Sequence, residues 1–494
     1  MNKDSLRPDK GKILIFTGFI IALILRIYDI EGKNMWFDEV YSWNTSMYGI
    51  TGIIKSAAGD IHPPFFYMAL KVWTMIFGDS VIAMRMLSVT LSMGGLYFTY
   101  LISRKVLKDN VQVFFVIILY AFSPINLHYA QEVRMFMLNT FLCLGSVYFF
   151  MELLENPSKR KMIIYAGFTI LAIYTHYFAF LVLFTEMVIV AFYQLKNKKE
   201  FSLGRRFGIL FIIIIAAYIP WMYEFFTQVS RGQPWRTQQE VYTTIVNAFA
   251  YFREIFLSYF IYYKEPAIYK ISNGVILTIV LTYFTLLIIA IKRKLIGLNA
   301  YLITLFFIIP LIIAVIVSYR NSLLLSRYIS IIIPYLLISL TAVVFALNKR
   351  KLSYVIMSTV LLVSIVGTTF YYQMNFKNND YREIISHLEE KYTPGDIIIA
   401  EPHYLGWVIK YHNHRGNTDI PAPSILSYGL QGTVDSVKNS GMDRVWFVMD
   451  YSSMEKTGYD ELPNTMSDLG YSLKDESKYD VIPDSVKVYY FVKE

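Results

Sequence analysis

Long apolar runs limit this chain more than any other feature of its sequence. A helix needs about 20 apolar residues to cross the ~30 Å hydrocarbon core of a bilayer, and such runs recur along the first 373 residues. They predict spans at 13–29, 81–103, 111–127, 134–154, 162–176, 177–195, 207–224, 271–291, 297–317, 327–347 and 352–373. Only 17% of the residues are charged and 55% are hydrophobic, which excludes an all-soluble protein. We therefore expect a polytopic α-helical membrane protein with about 11 transmembrane helices.

The basic residues predict the orientation of these spans. Twenty-one Lys and Arg residues fall on the N-terminus and on alternate loops, whereas the loops at 128–133 and 175–177 carry none. Because Lys and Arg collect on the cytoplasmic side, we expect a multi-pass protein of a bacterial-type plasma membrane. Eleven crossings then place the N-terminus in the cytoplasm and the C-terminus outside it.

The composition changes sharply near residue 375. The tail has a net charge of −7, and the residues before it have a net charge of +16. The tail also alternates helix-like and strand-like stretches, with a predicted helix at 380–391 and predicted strands at 397–400, 444–450 and 486–492. This pattern indicates a membrane domain over 1–374 and a C-terminal extracytoplasmic α/β domain over 375–494. The single cysteine, Cys143, excludes a disulfide framework.

The outer loop at 30–80 carries the first candidate site. Asp38 and Glu39 stand together among aromatic residues shortly after the first span. An exposed acidic pair without function is the plain alternative. The loop continues to His62 and then to an amphipathic stretch at 65–78, which is too short to span comfortably and is typical of an interfacial helix. An acidic loop backed by such a helix suits an enzyme that acts on a lipid-linked substrate.

A second group of candidates lies on the other predicted outer loops. Arg is suited to phosphate because it stays charged and presents a planar fork of donors. Each residue alone is explained equally well by helix capping, an ion pair or an interfacial position. One outer loop carries His128, Glu132 and Arg134, which suit contacts to a phosphate or to sugar hydroxyls. Four further residues on the same face would together surround an anion with positive charge: Arg85, His176, Arg320 and Arg327.

Several motifs resemble those of the polytopic GT-C glycosyltransferases, in particular bacterial relatives of the protein O-mannosyltransferases and of the lipid A aminoarabinose transferase. They occur in order along the chain, and no single one is decisive. The matching segments are 36–42 (WFDEVYS), 62–67 (HPPFFY), 128–136 (HYAQEVRMF), 175–178 (THYF), 326–328 (SRY), 380–385 (DYREII) and 394–399 (PGDIII).

The resemblance implies a GT-C fold and a sugar donor carried on polyprenyl phosphate and used on the extracytoplasmic face. It also implies an essential acidic residue in the first outer loop, which corresponds to Asp38 and Glu39. The acceptors in such a family are cell-envelope lipids, glycans or proteins. The role of the tail does not carry over, because this part varies within the family.

The sequence therefore predicts an inverting hexosyl- or pentosyltransferase. Asp38 is the expected general base, and Glu39 orients the acceptor or the loop. Arg134, Arg327 and Arg85 are expected to bind the donor phosphate. Further substrate contacts are predicted at His62, His128, Glu132, His176 and Tyr328.

The expected chemistry also limits the cofactors and partners. It requires no cofactor and is compatible with a divalent cation at the phosphate, while no metal site is predicted from the sequence. Membrane lipids are expected partners and nucleic acid is not, since the positive charge is mainly cytoplasmic anchoring. A lipid-linked sugar transporter or flippase and a non-catalytic membrane scaffold remain alternatives. No convincing internal repeat of the kind found in many transporters is present.

Overall fold

The computed structural model describes most of the chain and divides it into two compact units. The described residues are 10–32, 35–196, 201–231, 241–257, 266–321, 325–373, 381–401, 404–416, 429–450, 459–481 and 484–494. One unit comprises residues 1–28 and 49–374, and the other comprises residues 29–48 and 375–494. Residues 29–48, which the sequence analysis assigned to an outer loop of the membrane domain, thus group with the tail.

All regular elements among the described residues of the first unit are helices. They are α1 (Lys10–Ile27), α3 (Ile50–Gly59), α4 (Phe65–Phe77), α5 (Val81–Val106), α6 (Asn110–Ala121), α7 (Pro124–Ala130), α8 (Phe136–Glu155), α9 (Lys159–Ile173), α10 (Ala179–Lys196), α11 (Phe201–Arg231), α12 (Val241–Phe256), α13 (Pro266–Lys292), α14 (Leu298–Asn321), α15 (Ser326–Ile329), α16 (Ile333–Phe345) and α17 (Arg350–Gln373). Helices α8 and α16 are buried on nearly all sides and form its centre. Helix α2 (Phe37–Met47) belongs to the second unit.

Eight of the described helices are long and apolar enough to cross a membrane. Helices α6 and α7 make a ninth if they count as one span, which is bent by 60° at the break between them. The predicted spans at 13–29 and 162–176 appear as α1, which carries three basic residues, and as α9, which has 15 residues. A polytopic helical membrane protein is therefore confirmed, while the number of eleven crossings stays a prediction.

Charged side chains inside the bundle are held by polar partners from neighbouring helices. Arg26 is fully buried, donates from Nε to Ser92 Oγ at 2.8 Å and lies 5.2 Å from the ring centroid of Tyr120. Glu186 accepts hydrogen bonds from Tyr165 Oη at 2.6 Å and from Ser146 Oγ at 2.9 Å. Because both carboxyl oxygens of Glu186 have donors, its contacts indicate a structural role in joining three helices.

The second unit contains a mixed four-stranded sheet. Its elements after α2 are α18 (Tyr381–Lys391), β1 (Ile397–Glu401), α19 (Tyr404–Gly416), α20 (Gly429–Ser440), β2 (Arg444–Asp450), α21 (Leu462–Asp468), β3 (Tyr471–Val481) and β4 (Asp484–Lys493). The strand order is β1-β2-β4-β3, with β1 and β2 parallel and the other pairs antiparallel. The expected α/β tail is confirmed, and residue 380, at which its first helix was predicted to begin, lies outside the described residues.

Among the described residues of the tail, strand β3 and the helices α19, α20 and α21 were not predicted from the sequence. In β3, the Asp475 carboxylate lies 2.6 Å from His387 Nε2 and 2.9 Å from Lys391 Nζ, both on α18. Burial alone would raise the pKa of Asp475, but these two hydrogen bonds lower it below its ordinary value. An edge strand that is held to a helix by charged contacts does not show the apolar alternation that predicts a strand.

One close contact in the first unit depends on a glycine. A Cβ atom at Gly367 of α17 would overlap the carbonyl oxygen of Phe256 and would lie 2.7 Å from the Cα of Leu257. Both neighbours are backbone atoms at the end of α12, so neither can swing aside as a flexible side chain could. The packing of α17 on α12 therefore requires glycine at this position.

We expect Gly367→Ala to lower the free energy of unfolding by about 1–3 kcal/mol, because overpacking forces the backbone apart. The thermal midpoint of the purified protein in detergent measures this. Gly274→Ala is the matched control, since this glycine is exposed on α13 and nothing lies within 4 Å of the added methyl group. Equal midpoints for the two variants would contradict the packing argument.

Candidate functional site

The predicted site residues of the first unit lie where its helices are interrupted. His128 lies in the last turn of α7, and Glu132 and Arg134 lie in the loop before α8. His176 lies in the turn between α9 and α10. Interruptions expose backbone groups and leave room for polar side chains, whereas continuous membrane helices satisfy their own backbone.

An aromatic cluster joins residues from three interruptions: the loop before α4, the turn between α9 and α10, and the short helix α15. The ring of His176 lies 5.2 Å from that of His62 and 5.0 Å from that of Tyr328, measured between centroids. Phe136 and Phe178 pack on the same group, with Phe178 5.3 Å from Tyr328. His62, His176 and Tyr328 are all nearly inaccessible to solvent. Three of the predicted substrate contacts are thus brought together, although each comes from a different part of the chain.

His176 is a neutral hydrogen-bond donor within this cluster. Its Nδ1 accepts the backbone N–H of Phe178 at 3.2 Å, so the hydrogen of the neutral ring is on Nε2. Burial, together with the positive charges of Arg134 and Arg327, lowers the pKa of His176 to about 3. Its Nε2 atom is buried and has no hydrogen-bond partner among the described residues.

Two guanidinium groups act on this one imidazole. Arg134 is 5% exposed, and Arg327 has its Cζ atom 5.4 Å from the ring centroid of Tyr328. Both repel a proton from His176, which shows that both charges lie near it. Two Arg side chains and one imidazole N–H form a set of donors that suits an anion with several oxygens, such as a phosphate.

The loop that carries Arg134 is anchored by hydrogen bonds. Ser88 Oγ donates to the carbonyl oxygen of Glu132 at 2.5 Å. Gln131 donates to the carbonyl oxygen of Tyr28 at 2.8 Å and accepts from Tyr371 Oη at 2.9 Å. Fixed loop geometry matters for an anion site, because donors that are already in place need not be ordered when the ligand binds.

The other residues predicted on this loop also take defined positions. His128 Nε2 lies 3.7 Å from Glu132 Oε2, and Glu132 is buried. Arg85 is buried in the first half of α5 and is 1% exposed. The roles predicted for these residues stay predictions.

Glu254 is a half-buried acid near this cluster that the sequence analysis did not single out. It lies in α12, accepts a hydrogen bond from Ser326 and acts electrostatically on Tyr129. Burial raises the pKa of Glu254 to about 7, against the effects of Ser326 and Arg253. The signal in the sequence was a lone acid in the otherwise apolar outer stretch at 241–257, which no motif marked.

The predicted acidic pair lies in the second unit. Asp38 and Glu39 fall in the first turn of α2, so they stand on a helix within the segment that was predicted as an outer loop. Acidic side chains are favoured there, because the first turn of a helix carries partial positive charge. Glu39 is 1% exposed and Asp38 is partly exposed.

Comparisons with known proteins agree with this architecture. Residues 61–223 match the family model described as dolichyl-phosphate-mannose-protein mannosyltransferase. This stretch includes His62, Arg85, Glu132, Arg134 and His176. No curated protein sequence matches the chain.

Solved structures resemble the chain over most of its length. ArnT from Cupriavidus metallidurans in the apo state aligns with a TM-score of 0.60 at 12% identity, covering 98% of each chain. The same protein bound to undecaprenyl phosphate aligns with a TM-score of 0.58 at 12% identity, covering 96% of this chain and 97% of that one. The archaeal oligosaccharyltransferase AglB from Archaeoglobus fulgidus, in complex with an inhibitory peptide and a dolichol-phosphate, aligns with a TM-score of 0.50 at 14% identity, covering 90% of this chain and 70% of that one.

These matches agree with the resemblance seen in the motifs: residues 61–223 fit a mannosyltransferase family model, and the chain shares its fold with ArnT and AglB.

His176 and Glu254 should give opposite pH dependences of stability. The pKa of His176 is far below its unfolded value of about 6.5, so the unfolded chain takes up the proton first and stability falls between pH 6.5 and 3. The pKa of Glu254 is above its unfolded value of about 4.5, so its contribution is present at low pH and is lost as pH rises through 7.

We therefore expect His176→Asn to reduce the fall in thermal midpoint between pH 7.5 and 5.0. Glu254→Gln should enlarge the same fall, which makes each variant the control for the other. The measurement is thermal unfolding in detergent at a fixed scan rate. Shifts of the same sign would contradict the opposite pKa changes of the two groups.

Proposed function

We propose that the protein is an inverting glycosyltransferase that moves a hexose or pentose from a polyprenyl phosphate to an acceptor hydroxyl on the extracytoplasmic face. The observation that carries the proposal is the position of Arg134 and Arg327 beside neutral His176. The acceptor is a cell-envelope lipid, glycan or protein.

A phosphodiester is the ligand that best fits these donors. Each guanidinium can hold two phosphate oxygens with parallel N–H donors, and the Nε2–H of His176 supplies a further donor. A negative charge would also relieve the repulsion between two cations in a buried setting. Solved structures with the same fold contain undecaprenyl phosphate or a dolichol-phosphate, which supports a lipid phosphate as the donor of this protein.

The chemistry needs one base and no acid. The base removes the proton of the acceptor hydroxyl as its oxygen attacks the anomeric carbon. The bond between that carbon and the phosphate oxygen breaks, and the polyprenyl phosphate leaves as a stable monoester anion. A glycosidase instead needs two carboxyl groups about 5–9.5 Å apart on opposite sides of the bond. Asp38 and Glu39 are neighbours on one helix turn, which suits a single base better.

In this mechanism Asp38 takes the proton, and Glu39 orients the acceptor or the helix that carries both. Arg134, Arg327 and Arg85 stabilise the negative charge that grows on the phosphate as the bond breaks. His62, His128, Glu132, His176 and Tyr328 contact the sugar or the phosphate. The reaction requires no cofactor, and a divalent cation at the phosphate is compatible with it.

Asp38→Asn tests the base. Removing a general base lowers the rate by about 10²–10⁴-fold, so we expect kcat to fall in this range when the purified protein is supplied with polyprenyl-phosphate sugars and acceptor glycans. Glu31→Gln is the matched control, because Glu31 is an exposed acid in the same segment. Near-normal transfer by a folded Asp38→Asn variant would remove Asp38 from the mechanism.

The same assay separates the enzyme from its alternatives. In detergent there is no bilayer across which a flippase could move lipid, and a flippase forms no new glycosidic bond. A non-catalytic scaffold forms no such bond either. Mass spectrometry of the acceptor therefore distinguishes transfer from both. Absence of product with every sugar of a donor panel would contradict the proposed activity.

Arg134→Ala and Arg327→Ala test the phosphate site. Each removes a charged donor, which we expect to weaken donor binding by about tenfold to a hundredfold while acceptor binding changes little. The measurement is KM for each substrate, with Arg104→Ala as the control because Arg104 is exposed in the last turn of α5. Equal effects on donor and acceptor would indicate a structural ion pair.

A further inference from the structure

Helix α2 is part of the same compact unit as the tail. Residues 29–48 group with residues 375–494, although more than 300 residues lie between them. The helix that carries Asp38 and Glu39 therefore packs on an element of the tail. That element is α19 (Tyr404–Gly416), and the contacts between the two helices are specific.

Aromatic rings form the centre of the contact. Trp43 meets Tyr411 edge to face, with 5.1 Å between ring centroids, and lies 5.3 Å from the ring of His414. Tyr41 lies 5.1 Å from Trp407. Trp43 and Tyr411 are 2% and 3% exposed. Large rings packed in defined geometry hold two helices at a fixed distance.

A polar contact fixes the rotation of α2 within this packing. Lys410 Nζ donates to Asn44 Oδ1 at 2.8 Å, and the amide nitrogen of Asn44 donates to Tyr48 Oη at 3.4 Å. Both ends of the Asn44 amide thus have partners, and Asn44 is 4% exposed. Lys410 is exposed and only Asn44 is buried, so the contact lies at the edge of the packing. A directional hydrogen bond to a buried amide selects one register, which apolar packing alone does not.

Helix α19 is itself anchored in the tail. Leu405, Val408 and Ile409 are each no more than 2% exposed, and the helix packs on β1. One side of α19 therefore belongs to the tail, while Trp407, Lys410 and Tyr411 reach α2. A displacement of α19 would move α2 with it.

Asp38 stands on a different side of α2 from the contact. Residues advance by about 100° each around a helix, so Asp38 lies about 120° from Asn44. A rotation of α2 by about 15° would move a carboxylate about 6 Å from the helix axis by roughly 1.5 Å. A general base acts only within hydrogen-bond reach of its proton, so a shift of this size matters.

We infer that the tail positions the catalytic helix: Lys410, Trp407 and Tyr411 of α19 fix the rotation of α2, and through it the direction of the Asp38 carboxylate. Lys410 and Asn44 are positioning residues and touch no substrate. This inference rests on the proposed role of Asp38 as the base. It gives the tail a function that its composition did not indicate.

The test removes the polar contact from either side in the full-length protein. Asn44→Leu removes the acceptor, and Lys410→Met removes the donor while keeping the aliphatic chain. Asn44→Asp is the conservative variant, because a carboxylate still accepts from Lys410. Lys438→Met is the matched control, since Lys438 is exposed on α20 of the same unit.

We expect Asn44→Leu and Lys410→Met to lower kcat by about tenfold to a hundredfold with an unchanged KM for the donor lipid, because misplacement by about 1 Å can cost this much. Asn44→Asp and Lys438→Met should keep kcat near wild type. The double variant should lose no more than either single variant, since both remove the same contact. Amide hydrogen exchange of residues 37–47 should be faster in the two single variants.

The two readouts separate the possible failures. Unchanged exchange in residues 37–47 overturns the inference, whatever the activity does. Faster exchange with unchanged kcat overturns the positioning role and leaves the proposed function standing. A wild-type protein that transfers no sugar overturns the proposed function, and the positioning role falls with it. Loss of folded protein in proportion to the loss of activity, with unchanged kcat per folded molecule, also overturns the positioning role.

Discussion

Backbone hydrogen bonding in a bilayer governs the layout of this protein. Hydrocarbon offers no hydrogen-bond partner for a peptide group. The chain therefore crosses it as helices, in which the backbone N–H and C=O groups bond to one another. Polar chemistry then concentrates where helices stop. The break between α7 and α8, the turn between α9 and α10 and the short α15 bring Arg134, His176 and Arg327 to the same cluster. The polar groups that remain inside the bundle, such as Arg26 and Glu186, are held by neighbouring helices and contribute to its packing.

Burial gives the cluster its chemical character. Among exposed residues, two arginines would be screened and a histidine would titrate near neutral pH. In the buried cluster, His176 stays neutral and keeps a hydrogen on Nε2, whereas burial favours the protonated form of Glu254 near neutral pH. The cluster therefore combines two guanidinium charges with a neutral histidine, and the buried acid Glu132 lies on the same loop as Arg134. An anion that enters it gains more than it would at an open surface, because few waters compete for the donors.

The sequence was sufficient for the features that depend on local pattern. Apolar runs located most of the helices, and three of the four tail strands follow from their apolar residues. The positions of His62, His176 and Tyr328 could be named as candidates, but their meeting depends on how the helices pack. Strand β3 was missed because Asp475 and its neighbours give it a polar sequence. Glu254 was missed because no motif surrounds it. The packing of α2 on the tail was missed because no local sequence pattern indicates a contact between residues 366 positions apart.

That long separation has a consequence for how the protein is made. Asn44 emerges from the ribosome 366 residues before Lys410, which at about 5–20 residues per second is a wait of roughly 20–70 s. During that time the membrane helices can insert and pack, but α2 lacks the surface on which it docks. The acidic pair reaches its final orientation only after α19 and the strands on which it packs have been synthesised and folded. A chain arrested before α19 would hold packed membrane helices and an undocked α2.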